Sequence, residues 1–89
     1  MKEIKDFLKT RRAETPADIF EGKALWEEFI VRFRFGDVAS YLAEHGLIMR
    51  QSEVAKALEE LGARRMGNTE IATKQIRPWA VTVEAVNAD

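Results

Sequence analysis

Apolar residues recur at helical spacing in four stretches of the chain and at alternating spacing near its end. Ile4, Phe7 and Leu8 share one face of a segment that also carries Lys2, Lys5, Lys9, Arg11 and Arg12, which predicts an amphipathic helix over Met1 to Arg12. Thr15-Pro16 is a helix-start signal, since Thr can cap free N–H groups and Pro at the first helical position loses no helix hydrogen bond. Ile19, Phe20, Leu25, Trp26, Phe29, Ile30 and Phe33 then follow at helical spacing up to Arg34, predicting the central core helix, weakened at Gly22 by about 1 kcal/mol relative to Ala. A third helix is expected over Gly36 to His45, with Val38, Tyr41 and Leu42 on its inner face, Asp37 as its cap and Gly46 as its stop. Leu47-Ile48-Met49 is too short for a helix and reads as a small strand. The next helix opens at Ser52, buries Val54, Leu58 and Leu61 with Ala55 beside them, and stops at Gly62. Ala63 to Met66 and Gln75 to Val83 read as strands joined by the polar turn Gly67-Asn68-Thr69-Glu70. In the second strand Arg77, Trp79, Val81 and Val83 alternate with Ile76, Pro78, Ala80 and Thr82, and Pro78 places that stretch at a sheet edge or a bulge.

This pattern makes the chain α+β and mainly α, with three to four helices and a small antiparallel β-hairpin of two to three strands at the C-terminal side. A length of 89 residues suits a single domain. It is expected to span 1–86, as an N-terminal amphipathic helix (1–14), core helices (15–45), a strand and candidate recognition helix (47–62) and a wing (63–86), followed by a disordered tail at 87–89. The absence of cysteine excludes a disulfide framework and a thiolate metal site. No apolar run approaches the roughly 20 residues of a membrane span, so a cytoplasmic protein without a membrane partner is expected.

The formal net charge of -1 argues against a uniformly basic nucleic-acid-binding surface, but it conceals a gradient. Between Gly62 and Trp79, Arg64, Arg65, Lys74 and Arg77 face the single acid Glu70, whereas acids dominate Glu14 to Glu28. Catalytic motifs are missing: there is no Gly-rich phosphate loop, nucleophile elbow or paired His-Glu helix motif. The one histidine, His45, has no second ligand to make a metal or catalytic set. Glu27-Glu28 and Glu59-Glu60 are adjacent in sequence and splay apart on a helix, as solvated charges do. Neither an enzyme, a metal site nor a cofactor is expected.

The residues with most functional content are Arg50, Gln51, Ser52 and Lys56 at a helix start, and Arg64, Arg65, Lys74, Gln75 and Arg77 on the strands that follow. Side chains at a helix N-terminus can reach base edges in the major groove, where Arg and Gln make bidentate contacts, and basic hairpin residues can hold flanking phosphates or enter the minor groove. Helix, glycine and hairpin in this order predict a winged helix-turn-helix. The run SEVAKALEELGARR followed by QIRPWAV, within Gly46 to Val81, resembles the winged-helix domain at the C-terminus of phage and plasmid primase-helicases, and small phage-encoded winged-helix proteins. A helix ending in Leu-Gly leads there to a basic strand, a variable turn and an Arg-x-Trp strand, matched by Arg77-Pro78-Trp79. The resemblance covers the C-terminal half and lacks any ATPase or primase portion, so it implies a binding role for Ser52, Lys56, Arg64, Arg65 and Arg77. The expectation is a small phage or mobile-element protein that binds duplex DNA, as a homodimer in one version, in regulation of transcription or replication. The alternative is a winged module with a protein partner, such as a phage-encoded inhibitor of a host complex, suggested by the acidic total and the aromatic-rich first half.

Overall fold

The computed structural model describes residues 1–88. Helix α1 (Lys2–Thr10) forms as its spacing predicts, and its apolar face is sealed: Ile4, Phe7 and Leu8 are buried. Proline at the first position and an acid two residues on then set a 3-10 helix over Pro16–Glu21. The Asp18 carboxylate accepts the backbone N–H groups of Thr15 (3.1 Å) and Glu14 (3.0 Å). Those two bonds, the Thr15 one first, hold its pKa below the ordinary aspartate value.

The expected core helix up to Arg34 does not form. Gly22 takes a left-handed φ of +84° and ends the 3-10 helix, and the chain returns as two antiparallel strands, β1 (Leu25–Trp26) and β2 (Ile30–Phe33). The apolar residues of this segment fit both periods. A helix would have drawn Phe29 toward the core, but it is 73% exposed, whereas β2 buries Val31 and Phe33 by simple alternation. Pairing with a distant strand decides the outcome, as sheets commonly do over local propensity.

Helix α2 (Phe35–Glu44) turns Val38, Tyr41 and Leu42 inward. Asp37 does not cap it; its carboxylate pairs instead with the Arg34 guanidinium at 2.8 Å. The strand expected at Leu47–Met49 is absent. Leu47 N–H closes the helix end on Leu42 C=O (2.8 Å), Gly46 adopts φ +81°, and Ile48 stands 90% exposed. Helix α3 (Gln51–Leu61) starts one residue before Ser52, so its cap position is Arg50, whose N–H is accepted by the Glu53 carboxylate at 3.0 Å. Val54 and Leu58 are buried, Leu61 is half-buried, and Gly62 ends the helix at φ +100°.

Beyond it come β3 (Arg64–Arg65), β4 (Thr69–Ile71), β5 (Lys74–Ile76), β6 (Trp79–Thr82) and the short helix α4 (Val83–Asn87). The expected turn at Gly67–Glu70 lies elsewhere: Thr69 and Glu70 belong to β4, and the chain reverses at Ala72 and Thr73, with φ +50° and +67°. The single strand expected from Gln75 to Val83 is cut at Arg77-Pro78, where the chain passes from a two-stranded sheet (β4-β5) to a four-stranded one ordered β1-β2-β6-β3. Pro78 is buried and donates no N–H, and its carbonyl accepts Met66 N–H at 2.8 Å. Val83 opens α4 under a cap from the Thr82 hydroxyl. Of the expected disordered tail, Asn87 ends α4, Ala88 C=O accepts Lys5 Nζ at 2.6 Å, and Asp89 lies outside the described residues.

In the four-stranded sheet Val31 faces Val81 and Phe33 faces Trp79, all four buried against the helices. Arg32 and Ala80 pair on the opposite face. The radius of gyration of 12.0 Å matches the roughly 12 Å expected of one compact domain of this length.

Candidate nucleic-acid interface

Between β2 and β3 the chain forms α2 and α3, and the leading end of α3 is uncovered: Arg50, Gln51, Ser52, Glu53 and Lys56 are all exposed. Its neighbours follow from strand register. Arg65 pairs with Trp79 across β3 and β6, and its guanidinium lies 5.3 Å from the centre of the Trp79 ring. Trp79 in turn packs on Phe35, at the start of α2, with ring centres 5.7 Å apart. Phe35, Ala55 and Trp79 thus floor a shallow groove whose polar walls are Gln51, Ser52 and Arg65.

Arg64 alternates to the other side, opposite Ala80, and donates to Ala63 C=O at 2.9 Å. Glu59 joins Arg64, Arg65 and Trp79 around an adjoining recess, so a carboxylate borders the basic strand on that side. Residues 50–79 hold six Lys and Arg against four acids, so this segment is locally positive in a net-negative chain. The ion pairs among the described residues, Arg11–Glu44, Arg32–Glu27 and Arg34–Asp37, use none of those six cations. Arg50, Lys56, Arg64, Arg65 and Arg77 keep their charge available to an anion, while Lys74 lies over an aromatic ring.

The nine residues selected from sequence are all exposed, but they do not form one cluster. Gln51, Ser52 and Arg65 share the groove, and Arg50 and Lys56 lie on the same helix end. Lys74, Gln75 and Arg77 sit apart on the β4-β5 hairpin and its exit. Lys74 Nζ lies 5.1 Å from the centre of the Phe20 ring, Arg77 Nε donates to Asn68 Oδ1 at 3.0 Å, and Gln75 pairs with Glu70 in the ladder. The floor residues Phe35 and Trp79 were not selected with those nine, because their apolar character favours a core role for each. Phe20 was expected only as an apolar residue of the core helix, and Lys74 meets it beyond the chain reversal at Ala72 and Thr73.

Among the described residues no group of three His, Asp or Glu comes together to hold a metal, and no helix is long and apolar enough to cross a membrane. Compared with known proteins, the chain matches no family model, no curated protein and no solved structure.

Proposed function

We propose that the chain is a winged helix-turn-helix domain that binds duplex DNA, with α3 as the helix presented to the major groove and β3 holding phosphates beside it. The order of elements supports it: α2 and α3 lie between β2 and β3, the β4-β5 hairpin extends from β3, and β6 returns between β2 and β3. The observation that carries the reading is the uncovered start of α3 next to cations that no carboxylate neutralises by an ion pair among the described residues. In this arrangement Gln51 and Ser52 stand where base edges would be read, and Arg50, Lys56, Arg64 and Arg65 where phosphates would be met.

Titration with mixed-sequence duplex at two salt concentrations tests it. Affinity should fall steeply as salt rises, with a log–log slope of about -0.9 per phosphate contacted. Absence of binding even at low salt would remove the DNA reading.

A second reading, a protein-binding winged module, draws on a specific feature: Phe29 and Ile48 are 73% and 90% exposed. Large apolar side chains in water are common singly and become informative where they anchor a partner. Reversing Arg64 and Arg65 to Glu separates the two readings, since it abolishes duplex binding and leaves attachment through Phe29 or Ile48 intact.

A further inference from the structure

Phe20 is half-buried at the end of the 3-10 helix, and two cations approach its ring. Arg34 lies 5.8 Å from the ring centre and is fixed there by two hydrogen bonds to Asp37 (2.8 and 3.3 Å) and one to Phe20 C=O (3.2 Å). Lys74 is the other, at 5.1 Å, and it comes from the β4-β5 hairpin. Across that hairpin Lys74 pairs with Ile71, which is buried although it lies outside the main core cluster. The hairpin base is closed by Met66 N–H on Pro78 C=O. Lys74 thus joins the far end of the hairpin to the 3-10 helix, through attraction between an ammonium and the negative face of an aromatic ring.

We propose that Lys74 is a positioning residue, a clamp that seats the β4-β5 hairpin on Phe20, and that the duplex is met by Arg65 and the start of α3 while Lys74 stays on its ring. This deepens the proposed function and rests on it. The two cations differ in what surrounds them. Arg65 stacks on Trp79 at the rim of the groove that holds Gln51 and Ser52, so its planar fork is presented there without being consumed. Lys74 has its ring contact on a different element, and reaching a phosphate means leaving it.

Two measurements on the full chain test the assignment. Lys74→Gln and Phe20→Leu should each raise amide exchange across residues 69–76 by about two- to fivefold relative to α1, and Lys74→Arg should restore protection. In duplex titrations Arg65→Gln should lower the log–log salt slope by about 0.9, whereas Lys74→Gln should leave the slope unchanged. Unchanged hairpin exchange in Lys74→Gln, or a slope lost equally in both variants, would overturn the clamp. If the native chain binds no duplex, the proposed function falls while the exchange measurement still decides whether the clamp exists.

Discussion

Asp18 shows how much one side chain can set locally. Its carboxylate collects the N–H groups of Thr15 and Glu14 at the entry to the 3-10 helix, and these bonds depress its pKa from the ordinary 3.8. Because the folded value is the lower one, the stabilisation is complete above the ordinary value and is lost as pH falls through the depressed one. Following the Thr15 and Glu14 amide resonances from about pH 6 to about pH 2 should show both moving together, late in the titration and below the midpoint of an unperturbed aspartate. Asp18→Asn should flatten that response. At this scale the sequence was legible where a residue acts on its near neighbours: Thr15-Pro16 marked the entry, and Gly46 and Gly62 marked helix ends. It was silent on Phe20 with Lys74, and on Arg65 with Trp79, because those pairs meet only after the chain has folded.

Among the elements, α1, α2 and α3 were readable because each has a polar and an apolar side at one clear period. The segment Leu25 to Phe33 was not, since LWEEFIVRF offers apolar residues at helical and alternating spacing alike. The choice belongs to β6, which pairs with β2 over four residues and makes alternation the arrangement that buries Val31 and Phe33. The β4-β5 hairpin escaped prediction for a different reason. Its reversal uses Ala72 and Thr73 at positive φ, where Asn-Gly would have announced a two-residue turn. Left-handed backbone costs non-glycine residues about 1 kcal/mol or more each, and more for a β-branched Thr. Ala72→Asn with Thr73→Gly should therefore stabilise the chain by about 1 kcal/mol, read as a higher denaturant midpoint at unchanged m-value. A lower midpoint would show that the turn is held by contacts the backbone values do not reveal.

For the whole molecule, one cluster of apolar side chains joins α1, α2, α3, α4 and the inner face of the four-stranded sheet. Phe33 lies fully buried within it, on the strand that the alternating burial pattern defines. Phe33→Ala should cost about 3–5 kcal/mol, a large share of the roughly 5–15 kcal/mol typical of a folded domain. Equilibrium denaturation should then show a strongly lowered or vanishing transition, with α1 and the sheet lost together. The candidate site shares this dependence. Its floor, Phe35 and Trp79, is also part of the packed interior, so the groove cannot be remodelled without disturbing what supports it. The rim residues announce themselves by charge and hydrogen-bonding groups, and for that reason the polar residues of the site were legible in advance while its floor was not.

The position of β6 carries a last consequence, for how the chain is made. Two strands that never touch, one from the first half and one just past α3, are both completed by Trp79–Thr82. During synthesis the nascent polypeptide can wind its first three helices as they leave the ribosome, but it has no sheet centre until Trp79–Thr82 has emerged. Assembly of this domain is thus a late event, and a stalled product ending before Trp79 would display Val31 and Phe33 to chaperones and proteases.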